Sequence, residues 1–155
     1  MLLAAGYANR YTLKESLVKR LTGALILTLS SFVLFAAEKT PEDFANSFFE
    51  TYIGGDGWEA IDGFFKNNPL ILQKKQQLQL LKSQLTAVEQ VYGKPFGHEL
   101  VLKEVLTPSL QRYVYISKHE YHPITWEMYF YKPKDAWLPD QLLFVDQYQV
   151  VGAKR

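Results

Sequence analysis

The sequence predicts an α+β domain: helices first, then four strands in an antiparallel meander. Two periodicities and a set of turns predict it. Between residues 40 and 92, large apolar side chains recur every third or fourth position, the repeat of an amphipathic helix. From residue 97 to 151 they recur every second position, the repeat of a strand. Pro108–Ser109, the segment KHEYHP and the segment KPKD then divide the second half into four strands joined by turns.

The first helix starts at Thr40, whose hydroxyl can cap exposed N–H groups. Pro41 fits the first turn, and Glu42 and Asp43 suit its positive end. Phe44, Phe48 and Tyr52, flanked by Phe49 and Ile53, make a wide apolar stripe that ends at Gly54–Gly55. A short second helix follows, with Asp56 as its cap and Trp58, Ile61 and Phe65 on its inward side. Asn68 and Pro69 open a third and longest helix, which Gly93 closes. Ile71, Leu78, Leu81, Leu85, Val88 and Tyr92 share one face of it. The spacing 71, 78, 85, 92 is heptad-like, but three heptads are few for a coiled coil, and packing on the sheet is the expectation.

In the strands, Leu100, Leu102 and Leu106 alternate with Val101, Lys103 and Val105, and Val114 and Ile116 with Tyr113 and Tyr115. Trp126, Met128 and Phe130 alternate with Glu127, Tyr129 and Tyr131, and Leu142 and Phe144 with Leu143 and Val145. Both faces of the sheet are therefore apolar. One covers the helices. The other, rich in tyrosine, is expected to bind a ligand or to be shielded by a second subunit.

Residues 18–37 read as an export signal. Lys19 and Arg20 precede a charge-free run, Leu21–Ala37, that would rise roughly 25 Å as a helix, short of a hydrocarbon core of about 30 Å. Thr22, Gly23, Thr28, Ser30 and Ser31 dilute it, and Ala36–Ala37 offer a cleavage site. A retained N-terminal anchor is the alternative. The long lead-in before Leu17 suggests a natural start near Leu17 or Val18. The division expected is thus 1–37 as signal and 38–155 as one domain, periplasmic or secreted. The chain has no cysteine, so neither a lipid-anchored lipoprotein nor disulfide support is expected. The aromatic content, 15%, supplies large side chains for the core instead. Without residues 1–37 the charge falls from +1 to −2 (13 basic, 15 acidic), with no basic stripe, so nucleic acid is not an expected partner.

The segments YHPITWEMYFYKPKDAWLPDQLLFVD and FANSFFETYIGGDGWEAIDGFF resemble small secreted bacterial proteins of the nuclear-transport-factor-like superfamily, relatives of ketosteroid isomerases and SnoaL-like cyclases. The ordered aromatics from Trp126 to Trp137 carry most of the likeness. The resemblance implies a cone-shaped, cystatin-like fold: a curved four-stranded sheet wrapped around a helical layer, often with a pocket inside. The ending LLFVDQY departs from the polar ending usual in that superfamily, which bears on the pocket mouth.

Enzymatic relatives hold an acid in an apolar cone, where desolvation tunes it for proton transfer. Asp62 and Glu104 are the candidates here, Glu104 because it shares strand parity with Leu100, Leu102 and Leu106. Glu127 is expected on the Tyr-rich face with Arg112 or Lys103 as partner. For each acid the plainer reading is a salt-bridged or solvated carboxylate. His119 and His122 flank a turn with no third ligand in sight, so no metal is expected, and His98 is expected to face solvent. QYQVVG is one residue short of an inhibitory cystatin loop, and neither a phosphate-binding loop nor a G-x-S-x-G nucleophile is present. The expectation is an exported non-enzymatic protein that needs no cofactor. It would bind a small amphipathic ligand or a protein partner through Tyr113, Tyr115, Trp126, Tyr129, Tyr131 and Trp137. An isomerase- or cyclase-like enzyme and a structural homodimer are the alternatives.

Overall fold

The computed structural model describes residues 38–147. The proposed signal at 18–37 and residues 148–152 of the cystatin-like tail motif lie outside the described residues. Four helices precede four strands: α1 Pro41–Ile53, α2 Gly57–Phe65, α3 Pro69–Gln73, α4 Lys75–Tyr92, β1 Pro95–Thr107, β2 Leu110–His119, β3 Ile124–Tyr131 and β4 Leu138–Val145. The strands form one antiparallel sheet in the order β1-β2-β3-β4. The α+β meander is the predicted one.

Helix starts follow the sequence cues. Thr40 and Asp43 form a reciprocal capping box, the hydroxyl accepting from Asp43 N–H and the carboxylate accepting from Thr40 N–H. Asp56 caps α2 and Asn68 caps α3. The predicted third helix is two: Lys74 leaves helical geometry at φ −85°, ψ 53°, separating a five-residue turn, α3, from α4. Asn68, at the start of α3, has its Oδ1 accepting from Leu70 and Ile71 N–H while its Nδ2 donates to Pro139 O (2.8 Å) on β4, so α3 is tied to the sheet.

One face of the sheet carries Tyr113, Tyr115, Ser117, Ile124, Trp126, Met128 and Phe130, opposed in register across β2 and β3, and all of them are buried. They meet Phe44, Phe48, Phe49, Tyr52, Ile61, Phe64 and Phe65 from α1 and α2. The rings pack edge-on around Phe48, whose centroid lies 5.1 Å from that of Trp126 and 5.7 Å from that of Phe64. The interior of the expected cone is therefore occupied by aromatic side chains.

Strand β1 breaks period two. Register shifts against β2 fall between Pro95 and Gly97, between Leu100 and Leu102, and between Val105 and Thr107. The second shift puts Leu100, paired with Tyr115, on the helix side and Leu102, paired with Val114, on the other. Lys103 then turns to the helix side, where it reaches Glu42 and lies over the Tyr113 ring. Glu104 goes to the outer face opposite Arg112. Strict alternation had put Leu100, Leu102 and Glu104 together; the bulge separates them.

Candidate functional site

Along its middle, helix α4 is fastened to α2. Leu85 is fully buried against Gly57, where a Cβ would stand 2.9 Å from Leu85 Cδ2, so the two helices approach closely because position 57 has no side chain. Trp58 Nε1 donates to Thr86 Oγ1 (3.1 Å), and Lys82 Nζ donates to Asp62 Oδ2 (2.6 Å) while lying over the Trp58 ring. These contacts hold α4 to α2. Along the flank facing the sheet, Ile71 before the break and Leu78, Leu81, Val88 and Tyr92 on α4 are only half-buried.

Two cavities lie in that gap. One of about 470 Å³ is bounded by Gln84, Ala87, Val88, Val91 and Tyr92 on the helix and by residues 144–147 on the strand side. The other, about 270 Å³, is bounded by Phe65, Ile71, Lys74, Gln77, Leu78, Leu81 and residues 140–143. The helix residues follow one face. The strand residues are consecutive from 140 to 147, so both faces of β4 contribute and the cleft runs along the strand's outer edge. At one end the Tyr92 hydroxyl donates to Asp146 Oδ2 (2.7 Å), and His122 Nε2 donates to Asp146 O (2.7 Å) with its ring 5.1 Å from that of Tyr92.

The acids selected from the sequence lie elsewhere. Asp62 is exposed and serves as the α2 anchor for Lys82. Glu104 is on the outer face, 3.3 Å from Arg112 Nη1. Neither stands inside the apolar interior. Of the two partners expected for Glu127, Arg112 and not Lys103 takes the place, its Nε 2.9 Å from Glu127 Oε2, and Tyr129 OH donates to the same oxygen. This buried pair raises the guanidinium's pKa further. Of the six aromatics expected at a ligand surface, Tyr113, Tyr115 and Trp126 are buried under the helices, and burial pushes the Tyr115 hydroxyl up to about 12. Tyr129 and Tyr131 lie on the outer face, and Trp137 is half-buried beside Lys132. None of the six lines the cleft.

Ser117, His119, Glu89 and Tyr52 take positions that local spacing did not indicate. His119 Nδ1 donates to Gly93 O (2.7 Å), a carbonyl that can only accept, so Nε2 is the acceptor for the Ser117 hydroxyl (3.0 Å). Trp126 Nε1 donates to Ser117 Oγ (2.8 Å), completing a chain from β3 through β2 to the end of α4. It is a Ser–His pair without access: Ser117 is wholly buried, and the arrangement fastens rather than reacts. Glu89 is half-buried on α4, and desolvation raises its carboxyl pKa against the lowering effect of Lys94. The Tyr52 hydroxyl, raised chiefly by burial and then by Glu89, has no hydrogen-bond partner among the described residues. His98, expected in solvent, is half-buried and stacks on Phe49 at 4.4 Å.

Comparison of the chain with family models, curated proteins and solved structures finds no match.

Proposed function

We propose that this is an exported binding protein, not an enzyme, that takes the apolar body of a ligand into the cleft between α4 and β4. The observation that carries the reading is the contrast between a filled interior and an open flank. Phe48, Phe49, Tyr52, Phe64 and Trp126 occupy the space where relatives of the resembled superfamily would hold a substrate. The larger flank cavity, about 470 Å³, falls within the range of about 300–1,000 Å³ usual for ligand sites. Its wall of Val88, Val91 and Phe144 is apolar, and Tyr92 and Asp146 supply a polar end. Export rests on residues 18–37, and membership of the nuclear-transport-factor-like superfamily rests on the aromatic segment and on the order of helices and strands.

The cleft is tested with the fluorescent apolar anion 1-anilinonaphthalene-8-sulfonate. One saturable site is expected. Val91→Asp, at an exposed position on the cleft wall, weakens it about tenfold or more, whereas Phe96→Asp on β1 leaves it unchanged. Non-saturable binding, or equal effects of the two substitutions, sinks the proposal. Export is tested separately by mass spectrometry of the protein from its native host: an N-terminus at or next to Glu38 is expected, and a peptide spanning Leu21–Phe35 in the mature protein refutes it.

A further inference from the structure

The flank cleft has a backbone wall as well as an apolar one, and this points to the kind of ligand. Strand β4 is last in the sheet, so its outer edge has no strand neighbour among the described residues. The other edge strand, β1, carries three register shifts against β2, which twist an edge away from further pairing. β4 carries one, between its partners Tyr129 and Phe130, at its start. There the edge is already engaged, since Pro139 O accepts from Asn68 Nδ2. From Gln141 to Val145 the strand pairs regularly with β3, and the two cavities lie in series beside that stretch.

We propose that the cleft binds an extended peptide, which adds to the outer edge of β4 as a fifth strand beneath α4. The proposal rests on the cleft reading above and names its ligand. Edge N–H and C=O groups supply the pairing, and the two cavities accept apolar side chains at alternate positions of the peptide, which face the same way. Charge sets the direction. Asp146 is the charged group lining the end next to Tyr92, whereas at the other end Lys74 and Asp140 offset each other. A basic residue therefore belongs beside Asp146. In antiparallel addition, the more stable pairing, that end receives the peptide's N-terminus.

The test uses the full chain and an acetylated, amidated hexapeptide, Lys-Val-Thr-Val-Thr-Val, with two N-methylated isomers. One is methylated on the valine nitrogens at peptide positions 2 and 4, the other on the two threonine nitrogens. In an extended chain these two sets of N–H groups point to opposite edges, so edge pairing uses only one of them. The parent is expected to bind, one isomer to lose at least about tenfold in affinity, and the other to keep it. Amide NMR should show slowed exchange within residues 141–145 on binding. Equal affinity of both isomers, whether kept or lost, overturns strand addition, and so does failure of the parent to bind. If the naphthalene probe still binds and responds to Val91→Asp, only the peptide inference falls. If the probe fails as well, the cleft reading falls with it.

Discussion

His119 and Glu89 depend on pH with opposite sign, and the difference follows from what burial does to each. Desolvation lowers the pKa of His119 despite the opposing Gly93 carbonyl, and His122 lowers it further; desolvation also lowers His98 against Glu50, with Lys118 acting in the same direction. Both histidines are thus held neutral in the fold, while the unfolded chain takes up protons near 6.5. Their contribution to stability is fully present above pH 6.5 and is lost as pH falls towards their folded values. Glu89 has a raised pKa, so its contribution is present at low pH and is lost as pH rises above about 4.5. Urea unfolding at pH 5 and pH 7 is therefore expected to show a loss of stability at pH 5 that shrinks in His98→Gln, and a gain at pH 7 in Glu89→Gln. Changes of the opposite sign would contradict these environments. Ser117→Ala leaves Trp126 Nε1 and His119 Nε2 without their shared partner inside the protein, a loss of about 1–3 kcal/mol by denaturant titration. Arg112→Met removes the charge partner of the buried Glu127, leaving the Tyr129 hydroxyl on its carboxylate, and is expected to cost about 3 kcal/mol, more than any exposed ion pair such as Lys118–Glu99.

Elements join at two glycines for different reasons. Gly93 ends α4 with φ at 83°, a conformation that side chains disfavour, and a Cβ there would stand 3.1 Å from Glu120 Cβ. Gly93→Ala is expected to cost about 1–2 kcal/mol, with the denaturant slope unchanged. Gly57 has no such strain; it is small because Leu85 presses on it. The caps at Thr40, Asp56 and Asn68 were legible in the sequence because a cap is a local device of neighbouring residues. The break at Lys74 was not. The short helix before it is held to the sheet by Asn68 reaching Pro139, a contact across 71 residues that no local pattern reports. The bulges of β1 were hidden for the same reason, because alternation in one strand does not report the register imposed by the next.

For the whole molecule, the aromatic interior sets stability and the flank beside α4 offers binding. Phe48→Ala removes a ring that touches Phe49, Tyr52, Phe64 and Trp126, and an expected loss of about 3–5 kcal/mol would consume much of a typical domain's stability. Thermal unfolding checks this. The apolar stripe of α4 was legible, and Arg112 was legible as one of two partners for Glu127, the choice between it and Lys103 falling to the bulge in β1. That only Leu85 of the stripe would be fully buried was not, because Trp58, Thr86, Asp62 and Lys82 hold the helix against α2 rather than flat on the sheet. Sequence by itself determined the α+β class, the meander, the capping residues and the aromatic identity of the core, since all follow from local periodicity and turn chemistry. Tertiary structure alone decided which face each tyrosine took, where Asp62 and Glu104 ended, and that an open cleft lies beside the sheet and not within a cone. Those outcomes depend on how bulky side chains share one interior volume, and no single segment carries that information.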